Sequence, residues 1–234
     1  MEMKTKEASS LFTLAERQLS RRKFMRFASL LGVSAAVIGG STALTGCSKD
    51  DTDENNVNLG SGDIGILNYA YALEQLEAAF YMRAAESRTA GFSDSEMALI
   101  TDIRDHEIAH REFFKTALGS NAIKNLEFDF SGIGFGSRTS ILNTAKAFED
   151  LGVAAYNGAG KLIQDANYLL LAGKIVSVEA RHAAYIRDLI APNSFAASDV
   201  VDANGLDKAM TPADVLAIAG NYITTRIDAS SLPS

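Results

Sequence analysis

From Ile64 to about Arg88, apolar residues recur three and four positions apart: Leu67, Ala70, Leu73, Leu76 and Phe80 fall on one face of a helical repeat. A first helix is expected there, broken by Ala90-Gly91. Ser93-Asp94-Ser95-Glu96 then reads as a capping box, in which the serine oxygen accepts from the amide three residues on and the glutamate reaches back. A second helix follows to about Leu118. Residues 119–137 contain Gly119, Gly132, Gly134 and Gly136 and show no helical period, so they read as a long connection. A third helix is expected from about Thr139 to Leu162, and a fourth from about Tyr168 to Ile190, stopped by Ala191-Pro192. Residues 193–210 are loop-like, and Thr211-Pro212 starts a short last helix with threonine as cap and proline in the first turn.

No segment reads convincingly as a strand. The pattern predicts an all-α chain: an antiparallel four-helix bundle with one long crossover, plus a short C-terminal helix. The link between the second and third helices has to travel back along the bundle. A helix of this size is about 38 Å long, and a stretch the length of 119–137 can reach roughly 60 Å when extended. The connection is long enough to cross.

The first part of the 234-residue chain has a different character. Ser20-Arg21-Arg22-Lys23-Phe24-Met25 precedes an apolar run from Phe27 to Leu44 rich in Ala, Gly, Ser, Leu and Val. A basic region, then an apolar region, then small residues is the order of an export signal. The paired arginines resemble a twin-arginine signal, and Leu44-Thr45-Gly46-Cys47 resembles a lipobox, whose cysteine becomes the lipidated first residue. The run is about long enough to span a bilayer. Its Gly, Ser and Thr content and the lipobox at its end argue against a retained anchor helix. The domain organisation expected is a twin-arginine-type lipoprotein signal peptide at 1–46, an acidic flexible tether at 47–62, the bundle at 63–192 and a C-terminal extension at 193–234. These resemblances imply export and a lipid anchor on Cys47 at the periplasmic or cell-surface side of a bacterial envelope, with the membrane as partner. The twin-arginine route carries folded proteins, which suits a protein that loads its cofactor before export.

Composition narrows the partners further. Hydrophobic residues make up 47% of the chain, enough for a sizeable core. The net charge is −7; residues 1–46 hold seven Lys and Arg and three Asp and Glu, so the remainder carries 15 basic against 26 acidic residues, a net of −11. Binding phosphate backbones needs clustered Lys and Arg, so nucleic acid is not an expected partner. The single cysteine, Cys47, excludes an intrachain disulfide and a cysteine-ligated zinc or iron–sulfur cluster.

The chemistry sits in a repeat. Leu73-Glu74-Gln75-Leu76-Glu77-Ala78-Ala79-Phe80-Tyr81 of the first helix matches Phe148-Glu149-Asp150-Leu151-Gly152-Val153-Ala154-Ala155-Tyr156 of the third. Glu107-Ile108-Ala109-His110 of the second helix matches Glu179-Ala180-Arg181-His182 of the fourth, each followed, after two further residues, by an aromatic, an apolar and a basic residue. Residues three apart share one helix face, so each Glu-x-x-His can bind one metal through both side chains. Tyr81 and Tyr156 are expected two turns from Glu74 and Glu149 on the same faces. In antiparallel pairs, residues equidistant from the turn share a height. The midpoint of 74 and 107 falls at Ala90-Gly91, and that of 149 and 179 at residue 164, beside Gln164-Asp165-Ala166-Asn167. Glu74, Glu107, His110, Glu149, Glu179 and His182 can therefore meet at one level inside the bundle.

Ionised carboxylates in an apolar core are costly unless compensated, and two divalent cations would neutralise the four. Carboxylate with imidazole suits iron, with manganese as the alternative and zinc the weaker one. With these motifs, residues 64–190 resemble the ferritin-like family of di-metal carboxylate proteins. The resemblance implies Glu74 and Glu149 as helix-one and helix-three ligands, Glu107 and Glu179 as bridging carboxylates, and His110 and His182 as terminal imidazoles. It implies that Tyr81 and Tyr156 lie near the metals and donate hydrogen bonds or electrons. The activity implied is oxidation of ferrous iron or reduction of oxygen or peroxide, so the partners are metal ions or a small-molecule oxidant, with a homodimer also admitted by the family. A non-catalytic envelope module of the same fold is the alternative.

Several other residues need placing. Glu77 has Gly152 as its repeat counterpart and is expected at the surface or behind the ligands. His106 has Val178 as its counterpart and is expected to be solvated or behind the ligands. Asp105, Glu112, Asp150 and Asp188 are candidates to orient the histidines, with solvation as the plainer reading. His106-Glu107-Ile108-Ala109-His110 also matches the H-E-x-x-H zinc-protease motif, with Glu107 as base. That rival leaves the second Glu-x-x-His and both Glu-x6-Tyr helices unexplained.

Overall fold

The computed structural model describes residues 56–234. The expected signal peptide, Cys47 and the start of the tether lie outside the described residues. The long helices are α1 (Gly62–Ala85), α2 (Asp94–Leu118), α3 (Arg138–Gly160) and α4 (Ala166–Ile190). A short helix, α5 (Pro212–Ala219), follows. The architecture is a helical bundle in which α1 packs along α2 and α3 along α4 as antiparallel pairs. Among the described residues no helix is long and apolar enough to cross a membrane.

Local chemistry sets the helix ends. The Ser93 side chain accepts from the Glu96 amide while the Glu96 carboxylate accepts from the Ser93 amide, the box the sequence predicts at the start of α2. Gly91, in the turn before it, has φ of +85°, a conformation open to glycine at little cost. Asp165 caps α4 through the Asn167 amide, so this helix starts about two residues earlier than its periodicity suggests. Thr211 caps α5 by accepting from Asp214, with Pro212 in the first turn.

α2 and α4 behave as surface helices. Each buries one stripe: Ile100, Ile103, Glu107, His110, Phe114 and Leu118 on α2, and Ile175, Glu179, His182 and Ile186 among those on α4. α1 is different, since every residue from Gly65 to Ala78 is buried. The crossover covers its far side, and polar side chains of α1 hold it there. Asn68 donates to the carbonyls of Leu59 and Asn121 and accepts from the Ile123 amide, and Gln75 accepts from the Leu126 amide. A connection running over a helix brings backbone amides and carbonyls that must be paired, and Asn68 and Gln75 pair them.

The sequence predicts no strand, but the described residues contain two short ones. β1 (Asn56–Asn58) pairs in parallel with β2 (Arg226–Asp228), in register Asn56↔Arg226, Val57↔Ile227 and Asn58↔Asp228. Asn56–Asn58, expected within the flexible acidic stretch to residue 62, thus form a strand, with Val57 and Leu59 buried. The cause is the C-terminal extension, which returns to the bundle and offers β2 as a partner. Its Val215, Ala219 and Ile223 join the main core, the Met210 amide donates to the Ala154 carbonyl, and Asp199 reaches the buried Arg187.

Gly158 marks how closely the extension approaches α3. A Cβ there would stand 1.7 Å from the Met210 carbonyl oxygen. Gly158→Ala should therefore destabilise the metal-free chain by about 3 kcal/mol, the upper part of the range for overpacking, read from the shift in a urea midpoint. An unchanged midpoint would mean that residues 208–212 are not seated on α3 in solution.

Candidate metal centre

The helices bring the six residues of the repeat to one place in the core. Glu74, Glu107, Glu149 and Glu179 have 0% exposure, and His110 and His182 have 8% and 5%. They form two overlapping sets able to hold a metal ion: Glu74, Glu107, His110 and Glu179, and Glu107, Glu149, Glu179 and His182. Glu107 and Glu179 belong to both. His110 Nδ1 lies 2.7 Å from Glu179 Oε1, 3.4 Å from Glu74 Oε2 and 3.6 Å from Glu107 Oε2. His182 Nδ1 lies 2.8 Å from Glu107 Oε1, 3.5 Å from Glu149 Oε2 and 3.5 Å from Glu179 Oε2. Each shared carboxylate thus gives one oxygen to each histidine, as a bridge between two positions would.

These atoms are close together but out of line for hydrogen bonds. Glu74 Oε2, Glu149 Oε2, both oxygens of Glu107 and Glu179, and Nδ1 of both histidines have no hydrogen-bond partner and are shielded from solvent. Unpaired buried polar atoms cost on the order of 1–3 kcal/mol each and more when charged, so a cluster of them needs a compensating ligand. Hard oxygens with imidazole nitrogens are the donor set for divalent iron or manganese. The residues present therefore fit a pair of such ions.

The remaining oxygens of the unshared carboxylates are held by tyrosines, crosswise between the halves. Tyr81 of α1 donates to Glu149 Oε1 on α3 at 2.5 Å, and Tyr156 of α3 donates to Glu74 Oε1 on α1. The sequence pattern aligns each tyrosine with the glutamate of its own helix; the structure gives it to the other, because facing helices present these faces to one another. One oxygen of Glu74 and of Glu149 is fixed by a phenol while the other points into the cluster. Burial, and then the charge of Glu149 for Tyr81 or Glu74 for Tyr156, pushes both phenols well above the usual tyrosine range. Both keep their protons and act as donors.

Two residues outside the six stand behind the candidate ligands, one of the two places the sequence allows for each. Glu77 is not at the surface: it is 3% exposed. Its carboxylate fills the space left by its counterpart, since a Cβ on Gly152 would lie 2.9 Å from Glu77 Oε1. Burial, then the charges of Glu179, Glu107, Glu149 and Glu74, push its carboxyl well above the usual range, so it is held protonated. The Glu77/Gly152 mismatch in the repeat was the available signal, but only the packing shows that the two are complementary. His106 is exposed and belongs to neither metal set; its Nδ1 is 2.9 Å from His182 Nε2. The two histidines of His106-Glu107-Ile108-Ala109-His110 therefore do not converge on one ion, as a zinc-protease site would require. Among the candidate orienting acids, Asp150 is paired bidentately with Arg187, Glu112 with Arg111, and Asp188 accepts from the Asn193 amide.

Without metal, protons compensate the charge. Desolvation lowers the pKa of His182, but Glu149 and the close Glu107 and Glu179 outweigh it and push it up to about 12; His110 is raised in the same way by Glu74, Glu107 and Glu179. Burial raises Glu74 and Glu149 to about 8 despite the opposing histidines. Glu179 is lowered to about 2, because His110 and His182 overcome its burial.

A model of the ferritin-like domain family matches residues 62–192, more than half of the chain. No curated protein matches the chain.

An imidazolium cannot ligate a metal, so the raised histidines must lose their protons when ions bind. Near neutral pH, metal uptake by the metal-free chain should release roughly two protons from the histidines and up to two more from Glu74 and Glu149, and affinity should rise with pH. Calorimetry in buffers of different ionisation heat reads the number. Uptake without proton release would show that the histidines are neutral in the metal-free protein or are not ligands.

Proposed function

The chain belongs to the ferritin-like family, and we propose that its buried cluster holds two iron ions for oxidation of ferrous iron or reduction of dioxygen or peroxide. Glu74 and His110 would hold one ion, Glu149 and His182 the other, and Glu107 and Glu179 would be shared. The observation carrying this reading is the set of unpaired carboxylate oxygens and imidazole nitrogens turned toward one another in a dry core. Manganese suits the same donors and is the alternative metal.

When bound, the ion pair supplies one electron from each metal, enough for a two-electron reduction such as peroxide and two protons to two waters. The protein's own groups do the rest. Tyr81 and Tyr156 hold Glu149 and Glu74 so that one oxygen of each stays directed at the cluster. Glu107 and Glu179 keep the two positions adjacent, so electrons from both can reach one oxidant. Glu77 lies buried in the same core, and its burial favours the neutral carboxyl there. Low exposure of every ligand limits water at the cluster.

The same reading places the domain outside the cytoplasmic membrane, tethered by lipid on Cys47. Its support is the twin-arginine-like and lipobox-like sequences at 20–25 and 44–47. A metal site this enclosed suits loading and folding before export.

Anaerobically ferrous-loaded protein mixed with peroxide or oxygen should show a fast ferric absorbance burst. Glu107→Ala combined with Glu179→Ala removes both shared carboxylates and should abolish two-ion binding and the burst. Two ions still bound by that double variant would contradict the site. Two ions bound by the unaltered chain without any burst would point instead to a non-catalytic envelope module.

A further inference from the structure

The internal repeat is broken next to one of the two histidine ligands. His106 directly precedes Glu107, whereas Val178 directly precedes Glu179. The His106 and His182 rings lie edge to edge, with centroids 5.1 Å apart and planes 13° from parallel, and His106 Nδ1 lies 2.9 Å from His182 Nε2. His182 turns its other nitrogen, Nδ1, to Glu107, Glu149 and Glu179. An imidazole that gives the Nδ1 lone pair to a metal carries its proton on Nε2. In that state His182 donates and His106 Nδ1 accepts. The valine side chain at 178 has no atom that could do the same for His110.

Building on the di-metal reading above, we propose that His106 is a positioning residue for one metal position only, the one formed by Glu107, Glu149, Glu179 and His182, and so makes the two positions unequal. Its acceptor nitrogen fixes the tautomer of His182. The parallel ring restrains rotation of the ligand imidazole, and the hydrogen bond makes Nδ1 a stronger donor. Asp150, Glu112 and Asp188 are engaged by Arg187, Arg111 and the Asn193 amide, and Asp105 pairs with Arg104. His106 is exposed, so the outer end of this His–His pair reaches solvent while the inner end lies in the core. The position at His110 has no such link through residue 178.

The test is titration of Mn2+ alone into the metal-free full chain, followed by calorimetry and by electron paramagnetic resonance of the bound ions. The unaltered chain should take up two ions. His106→Ala should weaken one binding step by about 10–100-fold, the usual cost of losing a histidine ligand's hydrogen-bond partner, and leave the other unchanged. His106→Asn, whose Oδ1 can stand where Nδ1 stood, should restore most of the loss. In a His182→Ala chain the further His106→Ala change should do nothing, while in a His110→Ala chain it should weaken the remaining ion. Since His106 is at the surface, circular dichroism should show the variants folded. Unchanged affinities in folded His106→Ala, equal weakening of both steps, or failure of asparagine to rescue would each overturn the proposal with the di-metal site intact. Fewer than two ions in the unaltered chain would overturn both.

Discussion

Glu74, Glu107, Glu149 and Glu179 share one solvent-free space, and the compensation of their charge is the constraint around which the bundle is arranged. Removing one carboxylate from water costs several kcal/mol even after relaxation, on the order of what a whole domain has as net stability. The metal-free protein meets this with protons on His110 and His182 and with raised carboxyls on Glu74, Glu149 and Glu77. Two divalent ions would do so more completely, since they satisfy lone pairs that imidazolium protons leave out of line. The helices can then be close-packed around a charged centre because that centre is nearly neutral as a unit.

The site also reflects a duplicated plan with deliberate departures. The candidate ligands, the Glu-x-x-His pairs and the crosswise tyrosines obey a two-fold relation between α1–α2 and α3–α4. Two of the differences between the halves lie beside the cluster: Glu77 faces the empty place at Gly152, and His106 backs His182 where Val178 stands in the other half. Both differences add polar groups to one half and take them from the other. Symmetric placement of the clustered carboxylates and imidazoles gives two adjacent groups able to hold a metal, and the departures make their surroundings distinct. The wrapping of α1 by the crossover and the C-terminal extension belongs to the same design, because a helix carrying Glu74, Glu77, Asn68 and Gln75 needs cover on every side.

The helices were legible in the sequence because apolar spacing, the Ser93 capping box and Pro212 are local signals. The six clustered residues were legible for a related reason: a motif repeated at near-constant offset projects the same groups from each hairpin, and helix geometry fixes their height. Whatever depended on which element lies opposite was not legible. The tyrosines serve the other half, Glu77 is buried by a neighbour's missing side chain, and His106 finds its partner 76 positions away. β1 exists only because the C-terminal extension returns to pair with it, and the local composition gives no hint that Asn56–Asn58 form a strand.

Anomalous diffraction from crystals of the iron- or manganese-loaded chain, collected above the metal's absorption edge, tests the central claim most directly. The account predicts two neighbouring peaks, one beside His110 and Glu74 and one beside His182 and Glu149, with Glu107 and Glu179 contacting both. A single peak, a peak outside these residues, or no metal in a folded chain grown with excess iron or manganese would contradict it.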